Sequence, residues 1–347
     1  MSSQKIPYPL PQGLNDFEKA LLEHVLSGDS VVDWSRLFFQ KHSQNTTDEL
    51  HERIHQLLKV NEFDFTRPKD QERLLGIHSE SVDYLVHHLH LQLSPHVREL
   101  QEAAQIVTLF DMASGPVGSE LQTQACALLK TMNAIHHIDG RELLYNCPIS
   151  LRDLFSLVED KTERYLSQLL RQEPGRFRYE EGRKAKESLI TKLLSRRESI
   201  AAQINDRVRY RIVTRHAEDL SWILINLFTH LLPFNFVIPG NSSNQLLQTH
   251  VKTNPSSNNP QARIDYTSKD YRVCKFVVDI PVRLDNFLAQ SSAGAYRDTL
   301  GNIAFVMVEF QIVDEETARQ NNEGDSSHTE YKTRQKTGVM KRLLDSN

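Results

Sequence analysis

Asp206-Arg207-Val208-Arg209-Tyr210-Arg211-Ile212-Val213 alternates with a period of two. Val208, Tyr210 and Ile212 fall on one face and the three arginines on the other, the pattern of a half-buried β-strand. A second run, Val308-Glu309-Phe310-Gln311-Ile312, sets Glu309 and Gln311 opposite Val308, Phe310 and Ile312. A carboxylate among apolar neighbours is costly unless it is paired or bound to a cation. Asp206 and Glu309 on adjacent strands would suit Mg²⁺, which takes one or two carboxylates plus substrate phosphates.

Around these strands the period changes along the chain. From Leu14 to Leu170 the apolar spacing is mostly helical, as in Val117, Leu121, Ala125, Leu128, Met132 and Ile135. Ser150 with Asp153 three residues on resembles a capping box before Leu151, Leu154, Leu157 and Tyr165. Pro68, Pro95, Pro116 and Pro148 punctuate the segments, so six or seven helices and little sheet are expected there. After Lys184 the pattern predicts a helix to about Ala202, the Arg-alternating strand, and a helix over about Glu218–Leu232. A long Asn/Ser/Pro-rich loop over 241–262, strands over Tyr271–Pro281 and Asn302–Val313, and a last helix over Ser327–Leu344 follow. The expected fold class is α+β, with a helical domain over 1–170 and a mixed α/β-type domain, a sheet flanked by helices, over 171–347.

Composition bounds the function. The 347 residues are 39% hydrophobic and 25% charged, which excludes a disordered chain or a disulfide knot. No run reaches the ~20 apolar residues of a membrane helix, and no secretory signal is read at the N-terminus. Cys126, Cys147 and Cys274 form neither a disulfide framework nor a CxxC pair, which suits a reducing cytoplasm. Residues 171–215 hold 13 Lys+Arg against 6 Asp+Glu, whereas residues 1–170 hold 15 against 24. The basic block points to an anionic ligand; the acidic front argues against nucleic-acid binding by that half.

Histidine clusters invite a metal reading. His87, His88 and His90, and His136, His137 and Asp139, lack HExxH spacing, and His137 and Asp139 would diverge on a helix. Packed or solvated histidines are the expectation. There is no GxxxxGK[ST], GxGxxG or GxSxG, so phosphate-loop, Rossmann and α/β-hydrolase readings fail.

What remains is a constellation for phosphoryl or nucleotidyl transfer. Lys184, Lys186 and Lys192 with Arg211 are placed to grip a triphosphate, and Tyr266 to stack on a base. These residues resemble the synthetase domain of the RelA/SpoT family, which makes the alarmone (p)ppGpp. Asp206 to Val213 looks like its strand with a metal-binding Asp and a later Arg. Val308-Glu309-Phe310-Gln311-Ile312 is similar to its VEIQI strand, and Gly324, His328, Tyr331 and Lys332 fall at GxxxHxxYK spacing. Tyr266 and Ser268 match part of GYxSxH, with Asp265 and Asp270 standing where the family has Gly and His. The whole chain also resembles a bacterial family that shares this back half.

The resemblance implies a nucleotidyltransferase-type fold over 171–347 and pyrophosphoryl transfer from ATP to a ribose 3′-hydroxyl of a GDP- or GTP-like nucleotide or an RNA end. Asp206 and Glu309 would be catalytic and hold Mg²⁺. Arg183, Lys184, Lys186, Ser188, Lys192 and Arg211 would bind ATP phosphates. Tyr266, Ser268, Gln311, His328 and Lys332 would bind the acceptor. The alternative is an inactive nucleotide-binding regulator whose helical half binds a protein partner or a second copy.

Overall fold

The computed structural model describes residues 6–27, 47–116, 118–195, 207–238, 241–248, 271–289, 297–323 and 328–344. Seven helices precede the first strand among these residues: α1 (Asp16–Ser27), α2 (Thr47–Val60), α3 (Pro68–Asp83), α4 (Pro95–Arg98), α5 (Ile106–Ala113), α6 (Glu120–Asn146) and α7 (Leu151–Gln172). Their boundaries follow local chemistry. Pro68 and Pro95 occupy the first turns of α3 and α4, where a missing N–H costs nothing. Ser119 and Ser150 cap α6 and α7, their side chains accepting from Gln122 N and Asp153 N.

The back half supplies β1 (Phe177–Arg183), α8 (Lys186–Ser195), β2 (Val208–Thr214), α9 (Asp219–His230), the two-residue β3 (Ser243–Asn244) and β4 (Cys274–Arg283). The short α10 (Asp285–Ala289) and α11 (Arg297–Leu300), β5 (Ile303–Asp314), α12 (Glu315–Asn321) and α13 (His328–Leu344) complete it. One mixed sheet has the order β1-β2-β5-β4-β3. Its neighbours are antiparallel except for β2 and β5, which run parallel at the centre. The chain is therefore α+β, as read from the sequence. Strand β1 and helix α12 were not anticipated. Strands β2, β4 and β5 lie within a few residues of their expected spans.

Alternation divides the sheet into two faces. Tyr210, Phe310 and Phe276 stack across β2, β5 and β4, with centroids 5.6 and 5.5 Å apart at 18° and 15°. This apolar face is covered by α9, through Phe228 against Phe276 at 4.9 Å, and by α7, whose Glu159 and Glu163 lie near Tyr210. The opposite face meets α6 at one end. Gly140 allows that approach: a Cβ there would sit 2.5 Å from the Phe305 ring and 2.8 Å from the Ile303 carbonyl. The apolar core runs without a break from Leu22 and Leu109 in the helices to Phe276 and Ile312 in the sheet. No helix among the described residues is long and apolar enough to cross a membrane.

Candidate functional site

Register places polar side chains from four strands in two straight rows on the face that α6 covers only in part. The first row is Glu180, Arg211, Gln311 and Lys275; the second is Gly182, Arg209, Glu309 and Val277. Directly paired residues project to the same face. The rows arise because Tyr210, Ile212, Phe310, Ile312 and Phe276 project to the other face, and alternation leaves Arg209, Arg211, Glu309, Gln311 and Lys275 on this one.

Glu309 is the centre of the second row. It is 7% exposed and accepts one hydrogen bond, from Gln311 Nε2 to Oε1 at 2.7 Å. Arg209 and Arg211 are half-buried beside it, and neither is in an ion pair with a described residue. A Cβ at Gly182 would lie 3.8 Å from Arg209 Nη2, so the guanidinium rests over bare backbone. Tyr271 reaches the same place from the lead-in to β4. Burial raises its hydroxyl pKa; Arg211 and Arg209 pull it down, and Glu309 pushes it up.

The described residues include part of the set expected from the sequence. Glu309, Gln311 and Arg211 come together on this face. Lys184 lies at its edge, its N–H donating to the Arg207 carbonyl at 3.0 Å and carrying the β1–β2 pairing one residue further. Lys186 and Ser188 are in the first turn of α8, Lys186 exposed. Lys332 is exposed on α13, which packs against α8. Arg183 is placed apart from this set. It stands opposite Val208, on the apolar face, and is held by Glu159 of α7 through two nitrogens, with Phe155 5.8 Å below. Asp206, Tyr266 and Ser268 lie outside the described residues, as do the side chains of Lys192 and His328.

Arg209, Lys275 and Tyr271 were not singled out from the sequence. Arg209 had its signal in the alternation of β2, whereas Lys275 and Tyr271 depend on a pairing register that spacing does not reveal. The histidines behave as expected from helix geometry. His137 and Asp139 diverge, His137 toward Asp279 and Asp139 toward Arg73. No group of three or more metal-ligating side chains is gathered among the described residues.

Glu309 fits one part of a Mg²⁺ site. It is a buried carboxylate with Oε2 free of hydrogen bonds from described residues, beside cations that suit phosphates. Chemically, the face offers two β2 guanidinium groups, neither ion-paired with a described residue, on one side of an anchored acid. In chemical terms such a combination can accommodate an oligophosphate, with a carboxylate next to it.

No family model matches the chain, and no curated protein matches it. Solved structures similar to it include the small alarmone synthetase 1 from Bacillus subtilis, at 13% identity and a TM-score of 0.32 over 55% of this chain and 86% of that one. The same synthetase bound to its product pppGpp gives 14% and 0.31, over 56% and 92%. A GTP pyrophosphokinase family protein from Streptococcus pneumoniae gives 14% and 0.31, over 57% and 91%. Identities of this size carry no residue role from those proteins to this chain.

Proposed function

We propose that the chain is a RelA/SpoT-like pyrophosphokinase that moves the terminal diphosphate of ATP to the ribose 3′-hydroxyl of a nucleotide, guanine type favoured, or of an RNA end. The observation that carries this reading is Glu309, almost fully buried and, among the described residues, bonded only to Gln311, with Arg209 and Arg211 beside it and neither ion-paired with a described residue. Arg209, Arg211, Lys184 and Lys275 bind the polyphosphate. The acceptor 3′-oxygen attacks the β-phosphorus, the bond from that phosphorus to the AMP oxygen breaks, and Glu309 receives the hydroxyl proton. Gln311 holds Glu309 in position by its 2.7 Å bond. Tyr271 closes the β4 side of the face. A Mg²⁺ held by Glu309, with Asp206 as its second acid, would supply charge neutralisation on the phosphates.

The test is incubation with labelled ATP and Mg²⁺ against GDP, GTP, ADP and tRNA. Release of AMP together with a labelled acceptor is expected, and Glu309→Gln should reduce it at least 100-fold with an unchanged melting temperature. AMP without a labelled acceptor would mean hydrolysis and would overturn the transfer. ATP binding with no AMP for any acceptor would leave a nucleotide-binding regulator in its place.

A further inference from the structure

Asp279 lies on the same sheet face as Glu309, one step further toward α6. In the β4–β5 register Asp279 is opposite Met307 and Val277 is opposite Glu309. The two acids are therefore diagonal neighbours, roughly 7–8 Å apart at Cα. Met307, between Glu309 and the ground covered by α6, is half-buried, so the face stays open there.

Asp279 is 0% exposed and is gripped from α6. His137 Nε2 lies 2.8 Å and Arg141 Nη2 2.9 Å from the same oxygen, Oδ2. Oδ1 is buried with no hydrogen-bond partner among the described residues. A buried carboxylate left half-satisfied is expensive and calls for an explanation. Here it holds two side chains whose outer ends are open: His137 is 32% and Arg141 37% exposed. The His137 ring is fixed on both sides, stacked on Phe236 at 4.9 Å and edge-on to Phe305 at 4.8 Å. Asp279 accepts from Nε2, so Nδ1 carries the lone pair of the neutral ring. Arg141 uses one nitrogen on Asp279 and has further N–H donors to offer.

The flanks of Glu309 thus differ. Arg209 and Arg211 stand on the β1–β2 side, and the Arg141–His137 pair stands on the β4–α6 side. A diphosphate transfer needs donor and acceptor in line on opposite sides of the reacting phosphorus. We propose that Arg141 and His137 form a second anion subsite that takes the 5′-phosphates of the acceptor nucleotide, with Asp279 as its positioning residue. Arg141 donates to the phosphate oxygens, and His137 joins as a second donor when protonated. The assignment to the acceptor rests on the pyrophosphokinase reading; the anion subsite does not.

Calorimetry on the full chain with Mg²⁺ tests it, using GDP and ADP as diphosphate probes and a non-hydrolysable ATP analogue as the donor probe. Arg141→Gln, at a half-exposed position, should weaken the better-bound diphosphate at least tenfold and leave the ATP analogue within twofold. Arg211→Gln should do the reverse. Arg141→Lys should recover part of the loss. In turnover, Asp279→Asn should raise the KM for the acceptor while the KM for ATP stays within twofold, a split that general loosening of the fold would not give. Equal weakening of both probes by Arg141→Gln, or no weakening of the diphosphate, would overturn the subsite; so would failure of wild type to bind either diphosphate. If Arg141→Gln loses the diphosphate although wild type makes no AMP, the subsite stands and the transfer reading falls. If transfer proceeds with the acceptor KM unmoved by Arg141→Gln, the subsite falls and the transfer reading stands.

Discussion

Gly140 lets α6 lie close against the site-bearing strand. Replacing it with Ala would push a methyl into the Phe305 ring and the Ile303 carbonyl. Overpacking of this kind costs about 1–3 kcal/mol, so Gly140→Ala should lower the urea midpoint by that equivalent. One turn earlier, His136 is buried against Phe63 and Phe305. Burial, then the charges of Arg73 and His137, lowers its pKa to about 3. The unfolded chain takes up this proton near pH 6.5 and the folded chain does not, so His136 costs stability as pH falls from about 6.5 toward 3. Asp139 acts in the opposite sense. Burial raises its pKa to about 6 against the pull of Arg73. The folded chain then binds a proton that the unfolded chain binds only near pH 4, and stability is gained as pH falls between them. His136→Leu should therefore leave a protein whose urea midpoint falls less between pH 7 and pH 5 than that of wild type. Parallel slopes would refute the assignment. At this scale, Glu309, Gln311 and Arg211 were legible in the sequence because each stands on the polar side of a cleanly alternating strand. Arg183 was read as part of the same basic set, but one residue of register turns it to the opposite face and into the hands of Glu159.

Strand β5 carries the site acid and ends on a cap. Asp314 is 2% exposed, and its side chain accepts from Thr317 N at 2.9 Å and Thr317 Oγ1 at 2.6 Å. Loss of such a cap costs about 0.5–2 kcal/mol. Asp314→Ala should lower stability by that much, with activity at 25 °C retained, as thermal melts and the AMP assay together would show. Helix α12 went unread because it is seven residues long and starts directly behind the apolar run that ends at Val313, too short to show a helical period of its own. Strand β1 went unread for a different reason. Phe177-Arg178-Tyr179-Glu180-Glu181-Gly182-Arg183 is charged at the edge of the sheet, where only Phe177 is fully buried. Edge strands need no apolar face of their own along their whole length. The long helices α6 and α7 were legible because a sustained 3.6-residue period and a Ser cap agree.

For the whole molecule, the front helices and the sheet pack on each other through core and charge. Arg283 of β4 reaches both oxygens of Asp70 on α3 at 2.8 Å, and also the Glu62 carbonyl at 2.6 Å. Asp70 is 2% exposed. Removing one partner of a buried pair costs about 3–5 kcal/mol, since the other charge stays behind. Arg283→Met should destabilise by that amount, and Asp70→Asn/Arg283→Met together by less than the sum. Because the core is continuous, far-ultraviolet and near-ultraviolet signals should fall in one shared thermal transition. Two separated transitions would mean that the helices and the sheet unfold independently.

The central pairing of β2 with β5 is the parallel one, and it joins Arg209 to Glu309 across a gap of 100 positions. At ribosomal speeds of about 5–20 residues per second, the arginine waits roughly 5–20 s before its acid is synthesised. A nascent chain thus carries its cationic strand well before the Arg209–Glu309 pairing can exist. During that interval any passing polyanion, ribosomal RNA included, is a competitor for the same guanidinium groups.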